Sequence, residues 1–151
     1  MRKASAKGLD LPISFKDSVN VCRFIRGKEV LKAIKLLDEV IEKRRAIPFF
    51  RYKRDMPHRR GKLGPGRFPV KECKYIKKVI ENAVANAKAK GLDVQKLYIS
   101  KIEANRAVSK EKVKLGFKKS THILVEVEEM MEKKTEEKAM ESAEDKRGEE
   151  K

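Results

Sequence analysis

PVKECKYIKKVIENAVANAKAKGLDVQKLYISKIEAN, residues 69–105, changes its apolar period partway along. Up to Ala87 the apolar residues recur every three or four positions: Cys73, Ile76, Ile80, Ala83, Val84, Ala87. That spacing predicts a helix from Pro69 to Lys90 with one buried face. Pro69 fits its first position, where a missing N–H costs nothing, and Gly91 is its stop. Small residues at 83, 85 and 87 allow close packing on a sheet. From Leu97 the pattern changes, and LYISKIEAN (97–105) reads as a strand. Its partner is THILVEVE, residues 121–128, where Ile123, Val125 and Val127 point one way and His122, Glu126 and Glu128 the other.

Working outward, residues 3–8 (KASAKG) read as a short edge strand. Ser14 opens a helix and, with Asp17 three residues on, gives a capping-box pattern. Phe15, Val19, Cys22 and Arg26 share one face of it; Val21, Phe24 and Ile25 widen that face. Gly27 ends it. Lys28 to Arg44 forms a second helix, with a stripe of Val30, Ala33, Ile34, Leu37, Val40 and Ile41. The expected fold is therefore α+β: three helices packed on a small antiparallel sheet, with a projecting β-hairpin. Residues 1–128 form the domain. Residues 129–151 are a charged, acidic tail, helical or disordered, with too few apolar residues for a buried stripe.

The formal net charge of the 151 residues is +16. Lys43 to Lys71 holds eleven Lys or Arg residues and one acid, Asp55, with Phe49, Phe50, Tyr52 and Phe68 interleaved. Gly61, Gly64, Pro65 and Gly66 keep part of it out of regular structure. A segment this cationic needs a polyanion. Guanidinium forks grip phosphate oxygens, and Arg and aromatic planes stack on unpaired bases. Nucleic acid is the expected partner, RNA before DNA. Within this segment the candidate RNA contacts include Arg44, Arg45, Lys62 and Lys71. In the linker between the two strands, RAVSKEKVKLGFKKS (106–120), they are Arg106, Lys112, Lys114, Lys118 and Lys119. A membrane surface is the rival polyanion, but it would more often meet a basic amphipathic helix than a Gly/Pro-rich loop. No apolar run reaches transmembrane length and no signal-like block opens the chain, so an intracellular, soluble protein is expected. Cys22 and Cys73 read as small core residues.

No enzyme signature is present. The Gly64-Pro65-Gly66 run does not fit a phosphate-binding loop, and two histidines and two cysteines at scattered positions give no metal spacing. His58, between Pro57 and Arg59, reads as an RNA contact. No catalysis, cofactor, metal or small-molecule substrate is expected. The rivals to a structural RNA-binding protein are a free RNA- or DNA-binding module and, more remotely, an enzyme acting on RNA.

IPFFRYKRDMPHRRGKLGPGRFPVKECKYIKKVIENAVANAKAKGLD, residues 47–93, resembles the archaeal and eukaryotic branch of the universal large-subunit ribosomal protein twenty-two family (seventeen in the older eukaryotic series). SFKD with RFIRGK, LYISKI and THILVEVEE resemble further pieces of that family in the right order. The resemblance covers roughly residues 3–128. It implies a small body on large-subunit rRNA in cytoplasmic ribosomes, with a hairpin reaching toward the nascent-peptide exit tunnel. It implies a structural and assembly role beside neighbouring ribosomal proteins and the nascent chain. By motif, Arg51, Tyr52, Lys53, Arg54, His58, Arg59, Arg60, Arg67 and Phe68 would contact rRNA, as would Arg23 and Arg26. The 106–120 linker is shorter than the family's hairpin tip, and Lys-rich where that is Arg/Gly-rich.

Overall fold

In the computed structural model the described residues are 2–61, 63–108, 119–130 and, for the main chain alone, 112–113 and 116–117. The chain runs β1 (Lys3–Leu11), α1 (Phe15–Ile25), α2 (Val30–Ile41), β2 (Ile47–Pro48), β3 (His58–Arg59), β4 (Gly64–Arg67), α3 (Val70–Ala89), a single 3-10 turn (Val94–Lys96), β5 (Leu97–Arg106), β6 (Lys112–Val113), β7 (Gly116–Phe117) and β8 (Thr121–Glu129). The α+β expectation holds, and the predicted strands 97–105 and 121–128 each gain one residue.

The main sheet is antiparallel in the order β1-β8-β5, so the last strand is central. Ile123, Val125 and Val127 pair with Gly8, Ala6 and Ala4 on one side and with Ala104, Ile102 and Ile99 on the other. These rows face the helices and, apart from Gly8 and Ala104, are buried. α3 lies across β1 and β8, while α1 lies on β5. Burying a residue such as Ile76 or Ile80 completely is worth roughly 1.5–3 kcal/mol each. Ile99 and Ile102 both point inward because a bulge between them takes up one extra residue. Gly8 is required where β1 meets α3: a Cβ there would lie 2.7 Å from Val79 Cγ2.

Across the outer face of the sheet, Glu128 joins all three strands. Its Oε1 lies 2.7 Å from Lys3 Nζ, and its Oε2 accepts from the Tyr98 hydroxyl at 2.9 Å. The hydrogen bonds from Lys3 and Tyr98 hold its carboxyl below the ordinary carboxylate range. The same bonds raise the pKa of Lys3 and of Tyr98.

Several local expectations change. Of the face expected on α1, Val21, Cys22 and Ile25 are buried and are joined by Ser18 and Asn20, while Phe15, Val19 and Phe24 are half-buried and Arg26 is exposed. The Ser14 side chain makes no capping bond; its main-chain N–H donates instead to Glu72 Oε1 of α3 at 3.2 Å. α2 is shorter than 28–44. Lys28 is held by β5 (Ile99 N–H donates to its carbonyl), and Lys43 sits in the left-handed region at φ 62°. Cys22 and Cys73 are buried free thiols, and burial pushes both up to about 12. The body continues to Met130, whose N–H donates to Lys96 O. The tail expected over 129–151 lies outside the described residues from 131 on.

Candidate nucleic-acid interface

The cationic segment is not a plain loop. β2, β4 and β3 pair in that order into a small sheet: Ile47 opposite Arg67, Pro48 opposite Gly66, His58 opposite Pro65 and Arg59 opposite Gly64. Glycine makes this possible. Gly64 adopts φ +70°, and a Cβ on Gly66 would lie 3.1 Å from Ile47 O. Extended backbone alternates its side chains, so Ile47 and Phe49 enter the core while Phe50 turns out. Phe49 therefore leaves the set of aromatics interleaved with charge.

The chain beyond β2 is pinned by a buried residue, Asn20, on α1. Its Oδ1 accepts from the N–H groups of Phe50 (3.1 Å) and Arg51 (3.2 Å). Its Nδ2 donates to Lys16 O (2.9 Å) and Arg51 O (3.0 Å). All four hydrogen-bonding positions of the amide are used, which repays its burial. Tyr52 follows in the left-handed region at φ 57°, a conformation a bulky residue keeps only where its surroundings impose it.

A line of aromatic rings and cations results. The Arg106 guanidinium lies 5.5 Å from the Phe15 ring centroid, Phe15 meets Tyr52 edge-on at 6.4 Å, and Lys16 Nζ lies 5.6 Å over Tyr52. On the same helix Arg23 lies 4.3 Å over Phe50. Arg26 donates to Ile102 O at 2.9 Å and so spans from α1 to β5. One surface thus collects Arg23, Arg26, Arg51, Tyr52 and Arg106 from three separate parts of the sequence. Lys53, Arg54, His58, Arg60, Arg67, Lys71 and Lys119 are exposed as well.

Other candidates carry internal duties. Arg59 Nε donates to Gly66 O at 2.9 Å and its guanidinium lies 5.0 Å over Phe68, so it holds the small sheet together. Arg44 and Arg45 pair with Glu42 (2.9 Å) and Glu39 (2.7 Å), which offsets their charge. Lys62, Lys114 and Lys118 lie outside the described residues; of Lys112 only the main chain is described, paired with Phe117. The sequence reading missed Asn20, Phe15 and Lys16 as contributors. The one available signal was a polar residue, Asn20, set beside Val21 and Cys22.

Among the described residues no group of three or more His, Cys, Asp or Glu side chains is placed to hold a metal ion, and no helix is long and apolar enough to cross a membrane.

A family described as ribosomal protein L22p/L17e matches residues 6–128. The large ribosomal subunit protein uL22 of Archaeoglobus fulgidus is 50% identical over 107 residues, covering 70% of this chain and 69% of that protein. The uL22 of Staphylothermus marinus is 38% identical over 142 residues, 85% and 90% of the two chains. The uL22B of Saccharomyces cerevisiae is 42% identical over 110 residues, 70% of this chain and 60% of the yeast protein.

Proposed function

The chain belongs to the L22p/L17e family of ribosomal proteins and is a structural, non-enzymatic ribosomal component; from that premise we propose that it binds large-subunit rRNA through the face built on α1 and the 47–68 segment. The observation that carries this reading is the convergence of Arg23, Arg26, Arg51 and Arg106 with Phe15, Phe50 and Tyr52 on one surface. Arginine there grips phosphate, and exposed rings offer planes to bases. The rigid body fixes the spacing of those contacts, so several RNA segments can be clamped at once, which is an assembly function. The arm that continues from β5 and β8 reaches, on this reading, toward the nascent-peptide exit tunnel, with large-subunit proteins as neighbours.

The test removes exposed cations without disturbing the small sheet. Arg59 is unsuitable because it holds Gly66; Arg60 and Arg67 are the better pair. Arg60→Gln with Arg67→Gln should weaken binding of a large-subunit rRNA fragment in a filter assay. The slope of log affinity against log salt should become shallower by about 1.5, two phosphate contacts' worth. Unchanged affinity and slope would sink the proposal.

A further inference from the structure

Phe50 is 50% exposed, whereas its neighbour Phe49 is 3% exposed. The ring cannot turn inward by a local change of main chain, because Asn20 holds the N–H groups of both Phe50 and Arg51 and the carbonyl of Arg51. Asn20 and Arg23 lie one turn apart on α1, so the helix that pins the main chain also sets a guanidinium 4.3 Å over the ring centroid. Phosphate binding does not require an exposed ring. Exposed Arg51, Lys53 and Arg54 follow directly in sequence and supply charge for a strand's phosphates.

Resting on the RNA-binding reading above, we propose that Phe50, backed by Arg23 and fixed by Asn20, is a stacking platform for one unpaired nucleobase. A paired duplex hides its base faces within its own stack, while a single strand, loop or bulge exposes them. The arginine over the ring adds a cation–π contribution. The platform therefore selects unpaired segments over helices and is tolerant of base identity, since every base has a π-face.

The chain contains no tryptophan, so Phe50→Trp introduces a single reporter that keeps an aromatic plane. Phe50→Leu keeps apolar bulk and removes the plane. Both full-length variants and the wild type are titrated with a single-stranded oligoribonucleotide lacking self-complementarity and with a fully paired RNA duplex of equal phosphate count. Phe50→Leu should lose roughly 5- to 150-fold in affinity for the single strand, the worth of one stacked base, with the salt slope unchanged. Its duplex binding should match the wild type. Phe50→Trp should bind like the wild type, and its emission should be quenched by the single strand and not by the duplex. If Phe50→Leu melts early, the Phe50→Trp emission alone decides. Wild-type affinity in Phe50→Leu, equal losses on both RNAs, or equal quenching by both would overturn the platform while leaving RNA binding intact. If the wild type binds neither RNA, the platform and the RNA-binding reading fall together.

Discussion

Replacing Asn20 with alanine should loosen the cationic segment from the body without unfolding it. The side chain makes three hydrogen bonds to that segment, at 3.1, 3.2 and 3.0 Å. A net contribution of about 1 kcal/mol for each sets a ceiling of about 3 kcal/mol. Phe50 and Arg51 are exposed, so their freed main-chain groups regain water and the expected loss is nearer 2 kcal/mol. For a domain of this size that lowers Tm by roughly 6–10 °C. The local signature separates this from general destabilisation: in Asn20→Ala the amide protons of Phe50 and Arg51 should exchange much faster, while those of β8 keep their order of protection. Rapid exchange at those two amides already in the wild type, or an Asn20→Ala melt within about 0.5 kcal/mol of it, well below that sum, would refute the reasoning.

Three other outcomes are expected. Gly8→Val should destabilise by about 1–3 kcal/mol in denaturant melts, because even the Cβ falls 2.7 Å from Val79 Cγ2 in a packed core; wild-type stability would show that β1 can move away from α3. Glu128 has a folded pKa below its ordinary value of 4.5, so its stabilising contribution is present above the unfolded pKa and is lost as pH falls through the folded one; melts should show wild-type stability falling more steeply below about pH 4.5 than that of Glu128→Gln, and parallel acid curves would contradict this. Lys77 donates to both oxygens of Asp38 (2.7 and 2.9 Å) across α2 and α3, yet both side chains reach solvent; a double-mutant cycle should return about 1 kcal/mol or less, and a much larger coupling would mean that the pair is effectively buried.

The helices and long strands were legible because each declares a period. Ile76, Ile80 and Ala83 repeat at helical spacing, and Ile123, Val125 and Val127 alternate; all six are buried. The cationic segment was legible as a charge density but not as a shape. Nothing local distinguishes Phe49, inside, from Phe50, outside; that follows from the pairing of Ile47 with Arg67, a contact set by a residue twenty positions away. The buried face of α1 was legible only in part, at Val21, Cys22 and Ile25, for a related reason. Asn20 and Ser18 are polar, and a hydrophobic pattern leaves them outside, whereas the fold buries both by giving them main-chain partners. Ser14 and Asp17 matched a capping box, but Glu72, distant in sequence, took the Ser14 N–H. Charge alone also could not separate Arg59, Arg44 and Arg45, tied to the protein itself, from exposed Arg60 and Arg67.

The central claim, an RNA-clamping constituent of the large ribosomal subunit, is tested most directly by sucrose-gradient sedimentation of native lysate carrying the tagged chain, at low and at high salt. The protein should travel with the large subunit and stay there through a high-salt wash, since its contacts are many and clamped by one rigid body. A protein that runs free, or leaves the particle at modest salt, would contradict it.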